Sequence, residues 1–124
     1  MATTTATLTV KLTLSSANAT SESLGLTITD VLSTTNPAIS VARETVATTG
    51  QFNILTTANS SITYVYIKNI DDTNIITVKD DAGNNFLDLG PGEFAFLPVK
   101  GAVGIEATAN TAPCVLEYGY WTKS

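Results

Sequence analysis

Apolar residues recur at every second position along most of this chain, in short segments broken by clusters of turn-forming residues. From Thr7 to Leu14, Leu8, Val10, Leu12 and Leu14 alternate with Thr7, Thr9, Lys11 and Thr13. A strict period of two belongs to a β-strand with one buried face, because successive side chains leave a pleated strand on opposite sides. Nothing longer than a turn or two carries the helical repeat of about 3.6 residues, although Ala42 to Ala47 has the makings of one helical turn. The chain is expected to be all-β.

The alternation returns at Leu24, Leu26 and Ile28 and runs up to Asp30. A connection is expected from Asp30 to Pro37: Asn36 precedes proline and is held extended or turning, and Ser33, Thr34 and Thr35 favour bonds to their own backbone. Strands are expected from Ile39 to Val46 and through Phe52, Ile54 and Leu55, with Thr48-Thr49-Gly50 as the turn between them. Ser61 to Asn69 places Tyr64, Val65, Tyr66 and Ile67 in succession, apolar on both faces, as in a strand at the middle of a sheet. Further strands are expected at Ile75 to Lys79, Phe86 to Leu89, Glu93 to Val99, Ile105 to Ala109 and Cys114 to Trp121. Asp80-Asp81-Ala82-Gly83-Asn84-Asn85 has hairpin chemistry, since Gly83 can take positive φ. Gly90-Pro91-Gly92 has the residues of a type II turn.

About nine or ten short strands with such turns describe an antiparallel β-sandwich, jelly-roll-like in kind. The 124 residues suffice for one domain with its own core. Residues 1–6 are expected to be a flexible N-terminal arm, and residues 7–124 the single sandwich.

The chain has no histidine and one cysteine, Cys114. Histidine-based triads, HExxH zinc sites and His-liganded iron are therefore excluded, and so is an intrachain disulfide. Net charge is -5, and the six basic residues, Lys11, Arg43, Lys68, Lys79, Lys100 and Lys123, form no cluster. Nucleic-acid binding is not expected. Met1 to Thr7 has neither a basic n-region nor an apolar h-region, and no run of apolar residues is long enough to span a bilayer. A soluble protein made in a cytoplasm, with no membrane partner and no cofactor, is the expectation.

Charged residues make up 14% of the chain, against about 25% in ordinary soluble domains. Threonine, 22 copies of it, fills many of the vacated positions. Either threonine serves as a strand former on open surface, or much of the surface is covered by neighbours, where charge is costly. Sparse lysine on the expected edge strands and the uncharged Thr/Ala arm favour the second.

Few residues offer chemistry. Asp71-Asp72 and Asp80-Asp81 suit a calcium site if their turns meet at one end of a sheet, but neither has the spaced Asp-x-Asp-x-Asp-Gly pattern, and both read more simply as turn starters. Cys114 falls on an inward position and reads as core. Tyr118, Tyr120 and Trp121 close the chain; Tyr118 and Tyr120 share one face and Trp121 takes the other, so these three make no flat sugar platform. The candidate protein-interface residues are Ala2, Thr3, Thr4, Thr5 and Ala6, an extended arm suited to pairing with a neighbour's sheet edge, together with Tyr120 and Trp121.

Tyr64-Val65-Tyr66-Ile67-Lys68-Asn69, Asn74-Ile75-Ile76-Thr77-Val78 and Phe86 through Val99, including Gly90-Pro91-Gly92-Glu93-Phe94, resemble small β-sandwich structural proteins of tailed bacteriophages. The resemblance covers about the second half of the chain and ends in Cys114 to Trp121. It implies a virion protein without enzyme activity and supplies no binding residues. The Gly90 to Glu93 corner is also similar to cupin double-stranded β-helices, whose enzymes hold metal through histidines that this chain lacks. On this basis the expected function is capsid decoration or cement, with the chain a homo-oligomer, a trimer foremost, bound between major capsid subunits. A tail, collar or fibre component and a carbohydrate- or small-ligand-binding module are the alternatives.

Overall fold

The computed structural model describes residues 4–14, 24–34, 41–56, 63–100 and 103–122, and these contain ten strands and no helix. They are β1 (Thr4–Leu14), β2 (Leu24–Thr34), β3 (Ala42–Val46), β4 (Phe52–Leu55), β5 (Thr63–Asn69), β6 (Ile76–Asp80), β7 (Asn85–Leu89), β8 (Phe94–Val99), β9 (Ile105–Ala109) and β10 (Cys114–Thr122).

Within β3 to β10 the pairing is nested: β6 pairs with β7, β5 with β8, β4 with β9 and β3 with β10, all antiparallel. The chain is thus one long hairpin rolled up on itself. The roll is closed by β10 pairing with β5 and β9 with β6, which gives two four-stranded sheets ordered β3-β10-β5-β8 and β4-β9-β6-β7. This is the strand order of a jelly roll. The inner face of the first sheet contributes Val46, Val65, Ile67, Cys114 and Leu116 to the core, and the second contributes Ile54, Leu55, Ile76, Val78, Leu89, Ile105, Ala107 and Ala109. Each fully buried Val, Leu or Ile among them is worth about 1.5–3 kcal/mol of transfer free energy.

Local chemistry sets the corners. At Gly90-Pro91-Gly92-Glu93 the Glu93 N–H donates to the Gly90 carbonyl at 3.0 Å and Gly92 has φ 75°, the type II geometry that needs glycine at its third position. At the β6–β7 hairpin Gly83 has φ 88° and donates to the Asp80 carbonyl at 3.1 Å. The edge strand β8 carries Pro98, which has no N–H to offer an intruding strand.

Two expectations are corrected. Asp30 to Thr34 are not a connection but the end of β2, because each has a partner in β1, out to Thr34 opposite Thr4. Ala42 to Val46 form strand β3, inside the strand expected from Ile39 to Val46, since pairing with β10 supplies their backbone bonds. Thr4, Thr5 and Ala6 are not loose chain: they pair with Thr34, Ser33 and Leu32. β1 and β2 also stand outside the sandwich, as a two-stranded sheet of eleven paired positions on its own. Ala2 and Thr3 lie outside the described residues.

Candidate functional site

The acidic turns sit at opposite ends of β6, separated by a strand of five residues, so they cannot share an ion. Each uses its oxygens locally. Asp71 Oδ2 accepts the Thr73 and Asn74 N–H groups at 2.9 and 2.5 Å, and Asp72 Oδ1 accepts the Thr73 hydroxyl at 2.9 Å. Asp80 takes the Asn84 N–H on Oδ1 at 2.8 Å and the Asn84 side-chain amide on Oδ2 at 2.9 Å. These donors hold both carboxyls below the usual range, Asp71 chiefly through the Asn74 N–H and Asp80 chiefly through the Asn84 side chain. Among the described residues no group of three or more Asp, Glu, Cys or His is placed to hold a metal ion.

Cys114 is buried, and its thiol donates to the Ala112 carbonyl at 3.3 Å. Burial, with a smaller contribution from Asp71, pushes the thiol above its ordinary value, away from the thiolate that a nucleophile needs. Because a carbonyl acceptor is already in place, Cys114→Ser is expected to cost about 1 kcal/mol in thermal or urea unfolding, near the lower bound for burying a hydroxyl. A loss well above that would mean the Ala112 carbonyl does not receive the serine hydroxyl.

The outer face of the β3-β10-β5-β8 sheet is the feature that the pairing assembles from distant residues. Register places Trp121 beside Tyr64 and Gly119 beside Tyr66, and Tyr66 beside Phe96 on the next strand. Phe96 stacks on Trp121 with ring centroids 5.9 Å apart and on Tyr64 at 5.7 Å, with interplanar angles of 30° and 31°. Gly119 belongs beneath this cluster: a Cβ there would meet the Trp121 ring at 3.4 Å and Val41 Cγ2 at 3.7 Å. Around it Phe94, Val41 and Val115 are 67%, 48% and 37% exposed. Antiparallel sandwiches normally turn polar residues outward, so the aromatic content of this face is unusual.

The polar end of the same face is a three-residue network. Tyr66 Oη donates to Glu117 Oε1 at 2.8 Å, and Arg43 Nε donates to Glu117 Oε2 at 3.0 Å. The Glu117 carboxyl is held low, first by Tyr66 and then by Arg43. Burial and the Glu117 carboxylate raise Tyr66 to about 12. With the Arg43 side chain 62% exposed, water screens the ion pair and it adds little to stability. It orients the tyrosine more than it holds the fold.

Of the expected interface residues, Tyr120 faces inward and packs against the core, while Trp121 lies on the outer aromatic face. Thr4 to Ala6 lie in the ribbon, remote in sequence from both. The alternation of Tyr64 with Tyr66 and of Phe94 with Phe96 was visible along the chain, but their union with Trp121 depends on pairing between strands far apart in sequence. An open cleft of about 320 Å³ lies beside the edge of β8, lined by Phe86, Leu97, Val99, Val103 and Ile105. Its charged lining residues are Lys100 and Asp80, the latter already occupied by Asn84. Three buried polar residues were not anticipated: Asn69, fully buried at the end of β5, Thr77 on β6, and Glu106 on β9, 6% exposed with Oε2 unpartnered.

Fold and surface together define an antiparallel jelly-roll sandwich carrying a separate β-ribbon and an aromatic outer face. No family model, no curated protein and no solved structure matches this chain.

Proposed function

We propose that this chain is a non-enzymatic structural protein of a virion, a capsid decoration or cement protein that binds between major capsid subunits. The observation that carries the reading is a jelly roll with its own core between two four-stranded sheets, joined to a ribbon that enters neither of them. Among the described residues no third strand pairs with either edge of the ribbon, and open edges suit strand addition to a neighbouring subunit. The low charge of the chain fits a surface that spends its life covered. Binding only to the assembled shell stabilises that shell by mass action, by RT ln(1 + [L]/Kd) per site.

Locating the protein in intact particles tests this. Many copies spread over the head support decoration; a few copies at the tail, collar or fibre give the alternative virion role; absence from particles removes both. A second reading, a carbohydrate-binding module, is favoured by the stacked Tyr64, Phe96 and Trp121 rings with Tyr66 and Glu117 beside them. Trp121 is the sole tryptophan, so a glycan titration followed by its fluorescence addresses that face directly. No saturable change across a glycan panel removes the module reading.

A further inference from the structure

Among the described residues, the strands of the β3-β10-β5-β8 sheet carry outward charge in one row. Register sets Arg43 beside Glu117, Glu117 beside Lys68 and Lys68 beside Phe94, a line across all four strands. The next row holds Gly119, Tyr66 and Phe96, with Val41 against Gly119, and Trp121 follows beyond it. Glu44 alternates to the other side of β3, opposite the core residue Leu116. Two of the six basic residues, scattered along a chain of net charge -5, are thus brought together beside the aromatic cluster.

The carboxylate of that row already has its partners. Glu117 Oε1 accepts the Tyr66 hydroxyl and Oε2 accepts Arg43 Nε. Arg43 makes no other hydrogen bond among the described residues, so both terminal guanidinium nitrogens remain over, on a side chain that is 62% exposed. Lys68 is in no ion pair among them. Two cations against one carboxylate leave the row positive. Side-by-side terminal nitrogens match a planar carboxylate, whereas two cations are too few to neutralise a run of phosphates. Arg43 and Lys68 stand on either side of β10, about 10 Å apart at the backbone, and both side chains are long enough to reach an anion lying over it.

We propose that this face binds an acidic saccharide, the carboxylate of the sugar held by the terminal nitrogens of Arg43 and the Lys68 ammonium, and its ring set against the Phe96 and Trp121 side of the sheet. The inference rests on the carbohydrate reading of this face and adds the charge of the ligand. Aromatic rings receive the C–H groups of a sugar on their negative faces. Tyr66, whose proton goes to Glu117, keeps its oxygen as an acceptor for a sugar hydroxyl. Phe94 at the end of the charged row is 67% exposed and extends the apolar floor.

The test uses the purified full-length chain, with Trp121 fluorescence and calorimetry followed in parallel. The probes are tri-galacturonic acid, a hyaluronan tetrasaccharide and sialyllactose, each matched with its carboxyl methyl ester, which keeps the rings and removes the charge. At least one acid is expected to bind saturably, its ester about tenfold more weakly, as loss of a charge-assisted contact implies. Lys68→Gln, at a side chain in no ion pair, is expected to keep the circular dichroism and melting of the wild type and to weaken the acid about fivefold while leaving the ester unchanged. Lys79→Gln removes the same charge from the other sheet and is expected to change neither. An ester that binds as tightly as its acid overturns the inference and leaves the carbohydrate reading standing; no saturation by any acid or ester overturns both. Full affinity in Lys68→Gln, or an equal loss in Lys79→Gln, overturns the assignment to this row.

Discussion

Replacing Asn69 by alanine is expected to cost about 3–5 kcal/mol, a large share of the 5–15 kcal/mol that holds a domain of this kind together. The side chain sits fully buried at the end of β5. Its Nδ2 donates to the Asn74 carbonyl at 2.8 Å and to the Leu89 carbonyl at 2.9 Å, and its Oδ1 accepts the Asp71 N–H at 3.0 Å. Its backbone joins the same knot, donating to Glu93 at 2.9 Å and accepting from Gly92 at 3.0 Å. One residue thus ties a strand of the first sheet to the end of β7 in the second, and fixes the turns on either side. Alanine leaves three backbone groups without that partner. Two lie near solvent and cost about 1 kcal/mol each; the buried Leu89 carbonyl costs up to about 3. For a chain of this length the melting midpoint is expected to fall by roughly 10–20 °C. A loss below about 1 kcal/mol in urea unfolding would show that water replaces the amide at all three groups and that the knot is not structural.

Asn69 also shows where reading along the chain stops. In β5 and β10 the buried set, Val65 and Ile67, Cys114 and Leu116, follows directly from period two, because half-buried strands write their faces into alternate residues. The corners at Gly83 and Gly92 follow from glycine's freedom at positive φ. The next inward position of β5 after Ile67 is Asn69, and alternation marks it inward without saying what could satisfy a buried amide there; its partners lie in turns that come together only in the roll. The aromatic face has the same history: Tyr64, Phe96 and Trp121 are each placed on a face by local pattern, and only the β10–β5–β8 pairing makes them neighbours. The end of β2 past Asp30 was hidden for a different reason. Ser33 and Thr34 do favour local bonds in isolation, but eleven continuous partners in β1 outweigh that preference.

Glu106→Gln is expected to raise stability at neutral pH. Glu106 lies on an outward position of β9, between Asn53 and Lys79 on the flanking strands, yet it is 6% exposed and its Oε2 has no hydrogen-bond partner. Burial first, and then the nearby Asp81 carboxyl, disfavour its charged form; Asp80 adds to this and Lys79 opposes it. The folded chain therefore holds this proton more tightly than the unfolded chain, whose carboxyl has the ordinary value of 4.5. Its contribution to stability is present below that value and is lost as pH rises through the folded value, after which the penalty is constant. Ionising Glu106 in the fold leaves a buried carboxylate with one oxygen unsatisfied, a defect worth about 2 kcal/mol. Glutamine has nearly the same shape, removes the charge, and can donate its amide to Asp81. The variant is expected to melt roughly 5–10 °C above the wild type at pH 7, with the difference narrowing toward pH 4 as the wild type takes up its proton. Paired thermal melts across that range check it. Equal melting at pH 7, or a gap that widens on acidification, would mean that the Glu106 carboxylate is satisfied in solution and that Asp81 and Glu106 share a favourable contact instead of a strained one.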